Sequence, residues 1–284
     1  MLGFARRNLL LYFRDKAAVF FSLLAVLILL ALYVFFLGDL IASGLPNFPA
    51  KDWLLLSWII AGILAVTAVT TTLGAFGVMV EDRSTHAYLD FYASPIKRSS
   101  LFGGYVISSI VIGIFMCLMT LFAANAILFF TGEEILSFIQ LTKVIGVIFL
   151  SVAASGSMIL FLVSFFKTAN AFVAASTLIG TLLGFLAGIY IPIGNLSASL
   201  QTIIKFFPTS HSAALFRQLL MEQPMQEAFA HAPRLAKEEF QLNMGVFFEI
   251  YGSSTSPLFS VLYLIGTAIV FFALSIAVMK WKRS

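Results

Sequence analysis

Charged residues are scarce in this 284-residue chain. They make up 11% of the sequence, whereas hydrophobic residues make up 61% and the mean hydropathy is +1.02. A soluble domain of this length would not bury so much apolar surface. The composition therefore predicts a polytopic membrane protein.

Six apolar runs contain no Asp, Glu, Lys, Arg or His. Each is long enough to cross a hydrocarbon core of about 30 Å as a helix. Ion-coupled transporters and voltage sensors keep ionisable groups inside the membrane despite an insertion cost of about 2.5 to 3.5 kcal/mol each. The absence disfavours those classes, although backbone carbonyls of broken helices can still bind sodium. The runs are Ala17 to Gly38, Trp53 to Val80, Tyr105 to Phe130, Val144 to Phe166, Thr168 to Ile191 and Leu258 to Met279.

Signatures of enzyme chemistry are also missing. Cys117 is the single cysteine, which excludes a disulfide framework and a clustered thiol metal site. The sequence has no GxxxxGK[ST], HExxH or GxSxG motif, and its three histidines fall on different predicted sides of the membrane. We predict no catalytic, cofactor or metal site, and any energy for uphill transport must come from a partner.

Basic residues near the ends of the runs predict the orientation. They cluster beside the first run, between the second and third, and after the sixth, which places both termini in the cytoplasm of a multi-pass cell-membrane protein. The first run is too long for the apolar part of a signal peptide. The net charge of +4 fits this orientation and contact with anionic membrane lipids, and we expect no nucleic-acid partner.

Two polar segments flank the spans on the predicted cytoplasmic side. Residues 1–16 mix apolar and basic residues, as in an interfacial helix. Residues 81–104 place Tyr88, Phe91 and Tyr92 at i, i+3 and i+4, which predicts a helix with an aromatic stripe. Ser94 and Pro95 fit the cap and first turn of the next helix. The alternative is an interfacial loop that only connects two spans.

A long segment, residues 192–257, is predicted on the outer side. Its first half contains two apolar stretches that are separated by Pro208 and are too short to span, which favours re-entrant or interfacial helices. Its second half is polar and predicts a small exposed helical excursion.

Gly180, Gly184 and Gly188 recur every four residues in the fifth run. This spacing predicts a helix face that meets another helix at short range. An internal packing face and a subunit interface both satisfy it.

Three stretches carry a family resemblance: FARRNLLLYFRDKAAVFF, EDRSTHAYLDFYASPIKRSSLFGGY and GIYIPIGNLSASLQTIIKFFPTSHSAALFRQLLM. They resemble stretches of the type-2 permease family, the membrane subunits of ATP-binding-cassette (ABC) exporters. The first is similar to the connecting helix of the family, the second to the segment that holds its coupling helix, and the third to its re-entrant outer helices. Ser84 and Ser197 depart from residues common in the family, a Gly-Thr pair and a proline.

The resemblance implies a single all-α transmembrane domain over residues 1–284, with six spans, a coupling helix between spans 2 and 3, and re-entrant helices between spans 5 and 6. It implies a homodimer or heterodimer of permease subunits with two cytoplasmic ABC ATPases, which would bind ATP and Mg. The implied coupling residues are Glu81, Tyr88, Phe91, Tyr92 and Pro95. The implied residues of the outer re-entrant segment are Pro192, Phe207, Pro208 and Arg217.

The implied function is export of an amphipathic, drug-like, peptide or lipid-like substrate, as in multidrug or antibiotic efflux. Two other classes remain open from the residues. One is an ion-coupled or passive transporter, and the other is a membrane-embedded sensor or interaction subunit.

Overall fold

The computed structural model describes residues 1–17, 19–20, 24, 28, 31, 43, 48–250 and 252–281. The predicted first span, Ala17 to Gly38, lies largely outside the described residues. Within these residues the fold is all-α and 80% helical.

The helices are numbered here in chain order within the described residues. A 3-10 turn, Ile193–Asn195, and a two-stranded antiparallel sheet accompany the helices. The helices are α1 Leu2–Arg14, α2 Lys51–Ser84, α3 Tyr88–Ala93, α4 Arg98–Thr131, α5 Phe138–Val163, α6 Ala169–Leu186, α7 Ala198–Lys205, α8 Pro208–Leu220, α9 Glu222–Ala228, α10 Arg234–Asn243 and α11 Pro257–Trp281, and the strands are β1 Glu249–Ile250 and β2 Ser253–Ser254.

Among the described residues, five helices are long and apolar enough to cross a membrane: α2, α4, α5, α6 and α11. They coincide with the second to sixth predicted runs, with three larger differences at the ends. Helix α4 begins seven residues earlier, at Arg98, α5 begins six residues earlier, at Phe138, and α6 ends five residues earlier, at Leu186. We call the end of the bundle that carries α1 and α3 the basic end. The opposite end carries α7 to α10.

Helix α2 lies at the centre of the bundle and packs against α4, α5, α6 and α8. Trp58, Leu64 and Ala68 on this helix are fully buried. The hydroxyls of Thr67, Thr71 and Thr72, together with that of Thr70, donate to carbonyls on the same helix at 2.6 to 3.1 Å. These threonines therefore satisfy their own hydroxyls within a packed helix.

The segment of residues 192–257 contains a small sheet as well as helices. Helices α9 and α10 lie in its polar half, and the sheet of β1 and β2 was not predicted. Glu249 pairs with Ser254 and Ile250 with Ser253. Phe248 and Thr255 extend this pairing through two hydrogen bonds, of 2.7 and 3.0 Å.

Candidate functional site

The predicted helix of residues 81–104 is divided into several parts. Helix α2 continues to Ser84, and His86, with φ of 59°, turns the chain before α3 begins. Ser94 donates to the carbonyl of Phe91 at 2.6 Å, so it caps the end of α3. The prediction that Ser94 caps the next helix and that Pro95 lies in its first turn is wrong, because α4 begins only at Arg98 with Lys97 at its N-cap.

An ion pair joins α1 to the last turn of α2. The Arg7 guanidinium donates to both carboxylate oxygens of Asp82, at 2.7 and 2.8 Å. The Tyr105 hydroxyl of α4 donates to the same carboxylate at 2.5 Å. The hydrogen bond with Asp82 raises the pKa of Arg7, so this guanidinium stays charged. A carboxylate with three strong donors holds three helices at one point.

Aromatic contacts add α3 to the same point. The Phe91 ring packs edge to face on Phe4, with centroids 5.1 Å apart, and Phe4 packs in the same way on Tyr105 at 5.0 Å. The Arg7 guanidinium lies 4.9 Å from the centre of the Phe91 ring. Because such aromatic and cation–π pairs are directional, they fix the position of α3 as well as its distance. We call Phe4, Arg7, Asp82, Phe91 and Tyr105 the clamp.

Helix α1 crosses α4 at backbone distance beside the clamp. A Cβ atom on Gly104 would lie 2.7 Å from the Phe4 side chain and 3.2 Å from the backbone nitrogen of Ala5. Asn8, which is buried, donates to Ser108 at 3.4 Å one turn further along. The small residues Gly104 and Ser108 therefore allow α1 to pack close to the backbone of α4.

Arg83, the residue after Asp82, points to another neighbour. Its guanidinium donates to the carbonyl of Val163, the last residue of α5, at 3.0 Å. A cation at the C-terminal end of a helix also interacts favourably with the helix dipole. Two consecutive residues of α2 thus attach it to α1 and α4 on one side and to α5 on the other.

The predicted coupling residues do not form one exposed face. Phe91 and Tyr88 are half-buried, and Phe91 turns toward the chain's own α1. The side chain of Tyr92 lies outside the described part of the structure. Glu81 and Pro95 are exposed, and Leu89, at 52% exposure, is the prominent apolar side chain on the outward face of α3.

The three glycines of the fifth run have different surroundings. A Cβ at Gly180 would meet nothing within 4 Å, whereas a Cβ at Gly184 would overlap the Tyr190 ring. Gly188 lies beyond the end of α6 with φ of +64°. The prediction of one continuous helix face is wrong for Gly188, and the close contact at Gly184 is with the returning chain.

Helix α6 ends five residues before the predicted limit at Ile191 because of this turn. The Gly188 amide donates to the carbonyl of Phe185 at 3.0 Å, and the Ile189 amide donates to that of Gly184 at 2.8 Å. This pair of bonds is the Schellman motif, which places a left-handed residue, usually glycine, after a helix.

Arg217 of α8 is fully buried beneath that turn. Its guanidinium donates to the carbonyls of Ala187, Gly188 and Gly245 at 2.7, 3.1 and 3.3 Å, and it lies 5.0 Å from the centre of the Trp58 ring. Burial lowers its pKa to about 9, so it remains a cation near neutral pH. The charge is stabilised by the C-terminal end of α6 and by the indole face.

The other predicted outer residues begin or break elements. Pro192 is buried and precedes the 3-10 turn, Phe207 is the N-cap of α8, and Pro208 is its first residue. Proline suits that first position because its fixed φ fits a helix and the amide it lacks would have no partner there. Most of α8 is buried against α2, α5 and α11.

Arg7, Asp82 and Tyr105 were not predicted as site residues. The sequence offers one signal for this pair, which is the opposite charge of the two residues. Arg7 precedes the first apolar run, and Asp82, 75 residues later, follows the second. In the described part of the chain, no group of three or more His, Cys, Asp or Glu side chains could hold a metal ion.

These features define a class of protein: an all-α, membrane-embedded helical protein whose polar end is tied together by α1, α3 and the clamp. The family model for the ABC-2 family transporter protein matches residues 74–277, more than half of the chain. The chain therefore belongs to the ABC-2 family of transporter proteins, and it is a membrane subunit whose family implies association with ABC ATPases. No curated protein matches the chain.

Proposed function

We propose that this chain is the permease subunit of an ABC exporter. It would form, with a second permease subunit, the path for an amphipathic, drug-like, peptide or lipid-like substrate. ATP hydrolysis in separate cytoplasmic ATPase subunits would drive transport, and those subunits would hold ATP and Mg. Family membership and the clamp support this proposal.

The clamp is the observation that carries the proposal. Helix α3 is only six residues long, but Phe91 connects it to α1 and, through Phe4 and Arg7, to Asp82 of α2 and Tyr105 of α4. A force applied to α3 would therefore act on the ends of two 34-residue helices. This is the connection required if ATPase movement is to reach the spans.

The outward face of α3 is the proposed contact with the ATPase. Leu89 of α3 and Ile96, which follows α3, are 52% and 43% exposed, and Asp90 of α3 is exposed as well, as are Glu81 and Pro95. An apolar anchor surrounded by polar side chains is a common arrangement at protein interfaces. Phe91 would act on the other side of α3, where it transmits the movement.

The proposal is tested by co-purification of a candidate ABC ATPase with the full chain. Leu89→Asp should insert normally but lose the ATPase, since truncation of an interface anchor costs about 2 kcal/mol or more, at least tens-fold in affinity. The matched control is Leu235→Asp, which places the same charge on a 77% exposed leucine of α10 at the opposite end.

Loss of the ATPase from the Leu89 variant alone would support docking through α3. Full ATPase stoichiometry in that variant, with transport unchanged, would show that α3 is only a connection between spans.

A further inference from the structure

A cavity of about 670 Å³ opens at the basic end of the bundle. Its walls come from the ends of α2, α4 and α11, from α3, and from the connection between α5 and α6. Its size falls within the range of about 300 to 1,000 Å³ that is typical of small-molecule sites. The cavity lies on the Phe91 side of α3, away from the exposed Leu89.

The charge on the lining of this cavity has one sign. Arg83, Arg98 and Lys167 are among the residues that line it, and neither Asp nor Glu is among the described lining residues. Asp82 is nearby, but its carboxylate accepts bonds from Arg7 and Tyr105 in the clamp, and Asp90 is exposed on α3. The field inside the cavity therefore favours an anion.

The remaining lining residues are largely apolar or aromatic. Met79, Phe102 and Met279 belong to three helices that are long and apolar enough to cross a membrane, and Phe102 lies against Phe272 of α11 with ring centres 6.3 Å apart. Inorganic phosphate alone would leave most of this volume and these walls without contacts. The ligand that fits both parts has an anionic head and an apolar tail.

We propose that this cavity binds an amphiphile with a phosphate-bearing headgroup, such as a phospholipid from the adjacent leaflet. Arg83, Arg98 and Lys167 would bind the headgroup through charge-assisted hydrogen bonds. The side chains of Met79, Phe102 and Met279 would contact the apolar chain. Tyr88 and Phe91 also line the cavity, so an occupant would contact α3 from its inner side.

Binding is measured on the full chain, purified in nonionic detergent without an ATPase, so that its outcome is independent of the proposed export function. Native mass spectrometry would compare phosphatidylglycerol with phosphatidylcholine of identical acyl chains, and inorganic phosphate would serve as a competitor. We expect retention of phosphatidylglycerol in preference to phosphatidylcholine, and no displacement by phosphate at equal concentration.

The variant Arg98→Gln, Lys167→Gln should bind phosphatidylglycerol at least tenfold more weakly. Both side chains are exposed, so the fold should persist, and each single variant should show a smaller loss. Arg83 is left intact because it also caps α5. The matched control, Lys97→Gln, Lys16→Gln, removes two exposed charges that do not line the cavity and should bind like the unmodified chain.

Equal retention of the two lipids, or equal losses in the double variant and its control, would overturn the proposal in favour of general charge attraction. Displacement by equimolar phosphate would overturn the requirement for an apolar tail. Failure to retain either lipid would also overturn the proposal, and a separate co-purification with the ATPase would then test whether the Arg98 and Lys167 variant alone loses that partner. Such a loss would show that the basic residues contact a protein.

Discussion

The Arg7 guanidinium and the Asp82 carboxylate, 75 residues apart in the chain, form a two-bond ion pair of 2.7 and 2.8 Å. Asp82 is almost buried, with 7% of its side chain exposed, whereas Arg7 is 33% exposed. The pair therefore lies at the boundary between the packed helices and the basic end of the bundle. It attaches a helix outside the spans to the central helix of the fold.

Separation of the Arg7 and Asp82 side chains should lower the stability of the chain. Arg7→Gln leaves a nearly buried carboxylate without its cation, and such a loss costs up to about 3 to 5 kcal/mol when the site is dry. Because Arg7 is partly exposed, we expect a smaller loss. A double-mutant cycle with Asp82→Asn should give a coupling free energy of about 1 to 3 kcal/mol in detergent unfolding. A coupling near zero would place the pair among ordinary surface ion pairs.

Gly188→Ala should destabilise the chain. The left-handed backbone costs a residue with a Cβ about 1 to 2 kcal/mol, and the new methyl group would lie 2.8 Å from Ile193. Gly180→Ala is the matched control, because its methyl group meets nothing within 4 Å and alanine favours a helix interior by about 1 kcal/mol. Thermal unfolding should rank Gly180→Ala at or above the unmodified chain and Gly188→Ala below it. The reverse order of melting temperatures would contradict the left-handed backbone conformation of Gly188.

Arg217→Met should be strongly destabilising even though it replaces a buried charge by an apolar side chain. Three buried carbonyls would lose their donor, and each unsatisfied group costs about 1 to 3 kcal/mol. Arg217→Lys should recover only part of the loss, because an ammonium group lacks the planar fork. Arg234→Met, at an exposed arginine of α10, should change the yield and the melting temperature little. Normal folding of Arg217→Met would show that water replaces the guanidinium.

His211 should make the stability depend on pH. Burial lowers its pKa, partly opposed by the hydrogen bond from its Nε2 to the carbonyl of Lys205 at 2.9 Å. As the pH falls below the unfolded value of about 6.5, the unfolded chain binds a proton that the folded chain excludes, so stability falls. His211→Gln should show a smaller loss of melting temperature between pH 7.5 and pH 5.5.

The control for this measurement is His231→Gln, because His231 is exposed. That variant should follow the unmodified chain at every pH. Equal pH dependence in the His211 variant and the unmodified chain would assign the effect to other groups.

Much of the helical framework could be predicted because apolar length and the absence of charge determine it. The ends of the helices were harder to predict. The limit of Ile191 for the fifth span assumed an uninterrupted helix, whereas the local bonds around Gly188 end it at Leu186. Helix α4 extends seven residues before Tyr105, and in this first part Leu101 and Gly104 are buried, with Gly104 against α1, which a hydropathy window does not register.

The contacts of α3 could not be predicted from residue spacing. Spacing of i, i+3 and i+4 correctly indicates that Tyr88 and Phe91 share a side of a helix, but it does not indicate what that side contacts. Phe91 contacts Phe4, which is 87 residues away. Glu81 and Asp82 are adjacent acids, and only the packing of α2 against α1 and α4 determines that Asp82 is the one in the clamp.

Cross-linking can establish whether the outward face of α3 contacts an ATPase. Cys117 is the single cysteine and is buried, so Cys117→Ala provides a background without reactive thiols. In that background, Leu89→Cys treated with a short bifunctional thiol–amine reagent should cross-link to the co-purified ATPase, and Leu235→Cys should not. An intact complex in which Leu89→Cys gives no ATPase adduct, or in which both variants give the same adduct, would show that α3 does not dock on the ATPase.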